Sequence, residues 1–293
     1  MIRRLDDWQR RRRVPGFGYA VVCKYLDDGG PREAALITYY GFLSLFPVLL
    51  LAVTIVTEAL RNRPELRQRI IDGFVPVSLR PEVDAAVASL PTSHAAWIVG
   101  VLGLAYTAAG VVLSAYFTLN HVAAVPWRNR PGYLSRYLRV LGALAVLLAG
   151  IVATALLPAA AAFVAAFLVL WLLTRLLLDR PAPLRALWPA LLLGAGAVTL
   201  MLELGAALLP RLIRGAGLVY GGFATVAGIF TLLYLLSNAL VLAAEVAAVR
   251  WARLWPRALD PSRPTAADRR AVELLKREQE RFAEAGRTPP PDR

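Results

Sequence analysis

The sequence predicts an all-α, polytopic membrane protein: a six-transmembrane-helix bundle with short amphipathic interfacial helices. Three observations carry this. Apolar residues make up 58% of 293 positions, far more than a soluble core of that size needs. Several runs of about twenty residues hold almost no charge, enough to cross about 30 Å of hydrocarbon at about 1.5 Å per residue. The net charge of +13 sits in the segments between those runs, a pattern of membrane topology rather than of a nucleic-acid-binding face.

Residues 1–33 form a basic segment, too polar and arginine-rich to be expected as a cleaved signal peptide. Arg10 to Arg13 suit anionic lipid headgroups, at about 1 kcal/mol per basic residue near the surface. Gly18, Val21, Val22 and Tyr25 share a helical face, which predicts a short interfacial helix before Gly29, Gly30 and Pro31 turn the chain inward.

The first span covers about 34–57, with no charge from Ala34 to Val56. Tyr40, Ser44, Pro47, Leu51 and Thr54 fall on one stripe, which should face protein. Pro47 should kink the helix, with Ser44 or a neighbouring helix satisfying the freed Leu43 carbonyl. In 58–93, Leu66, Ile70 and Phe74, then Leu79, Val83, Val87 and Leu90, predict two amphipathic helices over the outer mouth.

The second span covers about 95–119. Its Gly100, Gly103, Thr107, Gly110, Ser114 and Thr118 form a seam of small residues for close helix packing. Asn120 to Arg139 follows with four arginines and no acid, and Trp127 and Tyr133 suit the headgroup level. From Leu138 to Leu178 the chain is apolar for twice one span. Pro158 divides it into spans at about 138–157 and 159–178, a re-entrant pair being the alternative. The fifth span, about 188–209, carries Glu203 on a face with Gly196, Thr199 and Ala206. The sixth, about 219–249, places Thr231, Tyr234, Asn238 and Glu245 on one stripe. In the tail, 250–293, Glu273 with Arg277 and Lys276 with Glu280 favour a short solvated helix, and the end from Thr288 should be disordered.

Six spans put both termini on one side. The segments of that side hold 26 of the 33 Lys and Arg, which predicts cytoplasmic termini. Cys23 is the single cysteine and His94 and His121 lie at opposite ends of one span, so neither a disulfide nor a metal or cofactor site is expected. A GxxxxGK nucleotide loop is missing too, so direct ATP use is not expected.

The phrases AALITYYGFLSLFPVLLL and YGGFATVAGIFTLLYLLSNALVLAAEV, in this order near the two ends of residues 15–252, resemble the YihY/BrkB family of bacterial inner-membrane proteins. The resemblance implies a six-span helical bundle and marks Tyr40, Ser44, Pro47, Asn238 and Glu245 as matching positions, without a chemical role. Part of that family carries a ribonuclease label. The sequence gives it no support, having neither a histidine cluster nor paired carboxylates outside the membrane.

Glu203 is the leading functional candidate, because an intramembrane carboxylate costs about 2.5–3.5 kcal/mol on insertion scales and needs a compensating contact. It is either a proton-exchanging group in a polar interior cavity or a structural carboxyl bonded to Tyr234, Thr199 or Ser44. Glu245 is expected to pair with Arg250 or Arg139. Two functions follow: a carrier of a lipid or other amphipathic substrate, with a cavity lined by Tyr40, Ser44, Glu203, Tyr234 and Asn238, or a non-transporting scaffold or envelope-integrity factor. Membrane lipids are the expected partners, and nucleic acid is not.

Overall fold

The structure, a computed structural model, describes residues 2–61, 94–180, 182–215 and 217–280. In chain order these form α1 (Ile2–Arg11), α2 (Arg13–Asp27), α3 (Gly30–Arg61), α4 (His94–Val122), a 3₁₀ turn (Trp127–Asn129), α5 (Tyr133–Leu156), α6 (Ala159–Leu177), α7 (Leu184–Gly215), α8 (Gly217–Ala252) and α9 (Ala266–Glu278). No strand occurs among the described residues. The amphipathic helices expected between Leu66 and Leu90 and the disorder expected from Thr288 lie outside the described residues. Among the described residues five helices are long and apolar enough to cross a membrane, those containing Trp97–Val122, Tyr133–Ile151, Ala160–Leu177, Leu184–Leu208 and Val226–Ala252.

The chain divides into two compact units, Tyr39–Gly110 and Met1–Thr38 with Val111–Arg293. In the smaller one, α3 continues as helix through Pro47. Ser44 does not satisfy the Leu43 carbonyl as expected: its hydroxyl donates to the Gly41 carbonyl at 2.6 Å. Gly103 and Gly110 of α4 face α3. A Cβ at Gly110 would stand 2.2 Å from the Tyr40 ring, and one at Gly103 would lie 3.4 Å from Pro47.

In the larger unit, α5 and α6 meet at Leu157 and Pro158, where the proline starts α6 at the point where its missing N–H removes no helical bond. Helices α7 and α8 run antiparallel: Gly194 lies against Leu240, and Gly205 against Leu232. Buried side chains gather in three places. Val112, Tyr116, Val140, Ala143 and Leu177 join α4, α5 and α6. Leu187, Ala190, Leu191 and Ala247 join α7 and α8. Ala20, Val21, Val249, Leu254 and Ala271 join α2, α8 and α9. Elsewhere the spans turn Leu134, Leu138, Leu141, Leu168, Leu193 and Leu200 outward, an apolar surface suited to lipid tails.

The two terminal segments interlock. Gln9 Nε2 donates to the Arg257 carbonyl at 2.6 Å, Arg10 to the Arg263 carbonyl at 2.9 Å, and the Leu259 N–H to Asp6 at 3.0 Å. The tail helix is therefore not simply solvated. A Thr265 and Asp268 capping box starts α9, its Ala267, Ala271 and Glu278 are buried, and Arg257 ties Asp268 to Asp27. Glu280, expected to pair with Lys276, meets Arg128 instead, and Glu278 meets His121 and Arg130.

Candidate functional site

The face by which α2 docks is not the one its apolar spacing suggested. Gly16, Ala20, Val21 and Lys24 are buried, while Gly18 and Val22 are exposed. A lysine turns inward because two carboxylates wait for it. The Lys24 ammonium donates to Asp28 Oδ2, one turn on, and to the Val122 carbonyl at 3.0 Å, and lies 3.1 Å from Glu245 Oε2 on α8. Burial alone would push Lys24 below its ordinary pKa, but the Glu245 and Asp28 charges hold it above.

The turn that follows shapes the cluster. Asp28 closes α2, a carboxylate at the negative end of a helix dipole, and Lys24 offsets that placement. Gly29 takes φ +66, the left-handed region that glycine enters without strain. Gly30 lets the Tyr25 ring pass where a Cβ would stand 2.2 Å from it. The Tyr25 hydroxyl then donates to Asn238 Oδ1, and Asn238 is oriented by its own amide bond to the Tyr234 carbonyl at 2.7 Å. Burial, with the Glu245 carboxylate nearby, raises the Tyr25 pKa.

From α4, His121 places Nδ1 2.8 Å from the Glu278 carboxylate and Nε2 3.1 Å from the Asp28 carbonyl. Both neighbours are acceptors, so the imidazolium satisfies both contacts by donating from each nitrogen. Arg130 adds a 3.1 Å contact to Glu278. A cleft of about 10 Å³, room for about one water, opens beside the cluster and is lined by Lys24, Asp27, Asp28, His121 and Arg257, with apolar neighbours that include Leu254 and Leu274.

Glu245 is fully buried, and neither of its carboxylate oxygens has a hydrogen-bond partner among the described residues. Among them its one close polar contact is the ion pair with Lys24, at 3.1 Å. The partners expected for Glu245 are engaged elsewhere: Arg139 meets Asp179 at 2.8 Å, and Arg250 stacks over Trp188. Glu203 also departs from expectation, because its side chain is exposed on α7 rather than buried in the interior. Thr199, one partner expected for it, donates to the Ala195 carbonyl at 3.0 Å.

Of the remaining candidates, Tyr40, Ser44 and Pro47 belong to the smaller unit, with Gly100, Gly103, Thr107 and Gly110. Tyr234 and Asn238 belong to the larger, with Ser114. Sequence reasoning missed Lys24, Asp28, His121, Arg130 and Glu278 as a group. The one local signal was the four-residue spacing of Lys24 and Asp28. Among the described residues no group of His, Cys, Asp and Glu could hold a metal ion.

A model of the family described as virulence factor BrkB matches residues 21–267 of the chain. No curated protein matches it, and neither does any solved structure.

Proposed function

Since the chain belongs to the BrkB virulence factor family and carries several helices apolar enough to cross a membrane, we propose that it is a multi-pass carrier for a lipid or other amphipathic substrate. It sits in the bacterial inner membrane with six spans and both termini cytoplasmic, and it moves its substrate without converting it. The charge-free stretch of α3, the first span, supports a count of six, and the segregation of 26 of 33 basic residues supports the orientation.

The observation that carries this reading is the buried Lys24, Asp28 and Glu245 cluster, where α2 meets α8 and the end of α4. A static scaffold gains nothing from it, since well-packed apolar residues of similar volume are often as stabilising as a buried ion pair or more so. A carrier needs one end of its bundle to close and reopen, and an ion cluster beside a water-sized cleft can serve as that closure. Arg11, Arg12 and Arg13 are exposed, and Arg12 stacks 5.3 Å over the half-exposed Trp8, an arrangement suited to anionic headgroups.

The test is reconstitution into liposomes holding a fluorescent phospholipid, with translocation followed by bleaching of the outer leaflet. Vesicles with the protein should bleach beyond the outer-leaflet fraction, and Lys24→Met should change the rate. Bleaching no greater than in protein-free vesicles would overturn lipid transport.

A further inference from the structure

Three carboxylates meet in the cluster, and they are not equally satisfied. Asp28 accepts a hydrogen bond from Lys24, and Glu278 is held by His121 and Arg130. Glu245 accepts none, although it is fully buried.

The groups around Glu245 come from three elements. Helix α2 and its end bring Lys24, Tyr25 and Asp28. Helix α4 brings His121, and behind it stand Glu278 of α9 and Arg130. Asp27 and Arg257 line the outer cleft and pair with each other. The imidazolium of His121 and the guanidinium of Arg130 are committed to Glu278. Lys24 is shared with Asp28, so one ammonium serves two carboxylates. An ionised carboxylate withdrawn from water without a hydrogen bond costs far more than the neutral acid does.

We infer that Glu245 is a proton-binding site, alternating between a carboxylate paired with Lys24 and a neutral carboxylic acid, and that it exchanges its proton with water. On release the O–H bond at Glu245 breaks, a water molecule takes the proton as hydronium, and the carboxylate left behind draws the Lys24 ammonium closer. On uptake hydronium returns the proton and water leaves. This rests on the carrier reading only for its purpose, which is to couple substrate movement to protons; occupancy of the site stands on the geometry alone.

Infrared difference spectra of the purified full chain, recorded as pH is stepped between about 5 and 8, test it directly. A carboxylic C=O band sensitive to deuterium exchange should titrate in the wild type, vanish in Glu245→Gln and persist in Glu203→Gln. In Lys24→Gln its midpoint should rise by about one pH unit or more, because an opposite charge is lost, and in Asp28→Asn it should fall, because a like charge is lost. Should Lys24→Gln not fold, the shape-conserving Glu245→Gln decides alone, with its melting temperature as the check. A wild type with no such band, or an unchanged band in Glu245→Gln, overturns the site. The two readings separate cleanly: lipid translocation without the band leaves a carrier that does not use Glu245, and the band without translocation leaves the site and removes the carrier.

Discussion

Glu203 and Glu245 occupy neighbouring antiparallel helices, and their surroundings are opposite. Glu203 on α7 is exposed, whereas Glu245 on α8 is fully buried against a lysine. Each helix is an apolar run with one conspicuous acid, and insertion cost alone ranks the more central acid as the special one. What separates them is a helix from outside the spans: α2 reaches α8 and delivers Lys24. The role of a carboxylate in a membrane helix is thus set as much by the connecting segments as by its depth.

The sharpest way to break this comparison is Lys24→Met. It leaves Asp28 and Glu245 buried without their cation and should cost about 3–5 kcal/mol, read as a lower melting temperature in detergent. A loss no larger than that of Glu203→Gln would end the distinction. His121→Leu removes the proton donor to Glu278 and to the Asp28 carbonyl, with an expected cost of about 1.5–3 kcal/mol. Its signature is faster proteolysis of α9 while the membrane helices stay protected. Gly110→Leu supplies an uncharged reference in the other unit. Tyr40 must move to admit the side chain, at about 1–3 kcal/mol, and Gly103→Leu should cost less because Pro47 stands farther off.

Acid should separate the terminal interlock from the Lys24 joint. Burial would raise the pKa of Asp6 and of Asp268, but for Asp6 the Leu259 N–H and Arg10 win, and for Asp268 the Thr265 contacts and Arg257 win, so both lie below the ordinary range. Their stabilisation is therefore complete above the unfolded value of about 3.9 and is lost as pH falls through the folded values. Lys24, held above its ordinary value, contributes fully below about pH 10.4 and weakens only as pH rises beyond it. Hydrogen exchange in 257–278, corrected for intrinsic rates, should increase only below about pH 4, with α8 around Glu245 protected for longer. The smallest effect belongs to Glu203→Gln, within about 0.5 kcal/mol by thermal unfolding, as for an exposed position.

The helices were legible because a charge-free run of span length has few other fates, and Pro158 divides α5 from α6 where its ring forbids a continuous helix. The site was not, and Lys24 shows why. Amphipathic spacing assigns a lysine to the polar face, and only a carboxylate on another helix reverses that. Glu278 is the same case. Four-residue pairing searches one helix and cannot see His121, 157 positions away. Ser44 failed differently: a hydroxyl in a membrane helix can bond any carbonyl of the preceding turn, and it took that of Gly41 rather than the one Pro47 frees.

The distance along the chain between Lys24 and Glu245 also sets an order of events during synthesis. At about 5–20 residues per second, about 10–45 seconds separate the emergence of the two partners from the ribosome. Throughout that interval α2 has no Glu245 to close upon, and its lysine can remain solvated at the membrane surface while the intervening helices insert. When α8 arrives it carries a carboxylate without its cation, and the arrival of the tail brings the Glu278 that His121 and Arg130 hold. The first segment made is therefore among the last to lock, and a truncation anywhere before α8 leaves it without a dock.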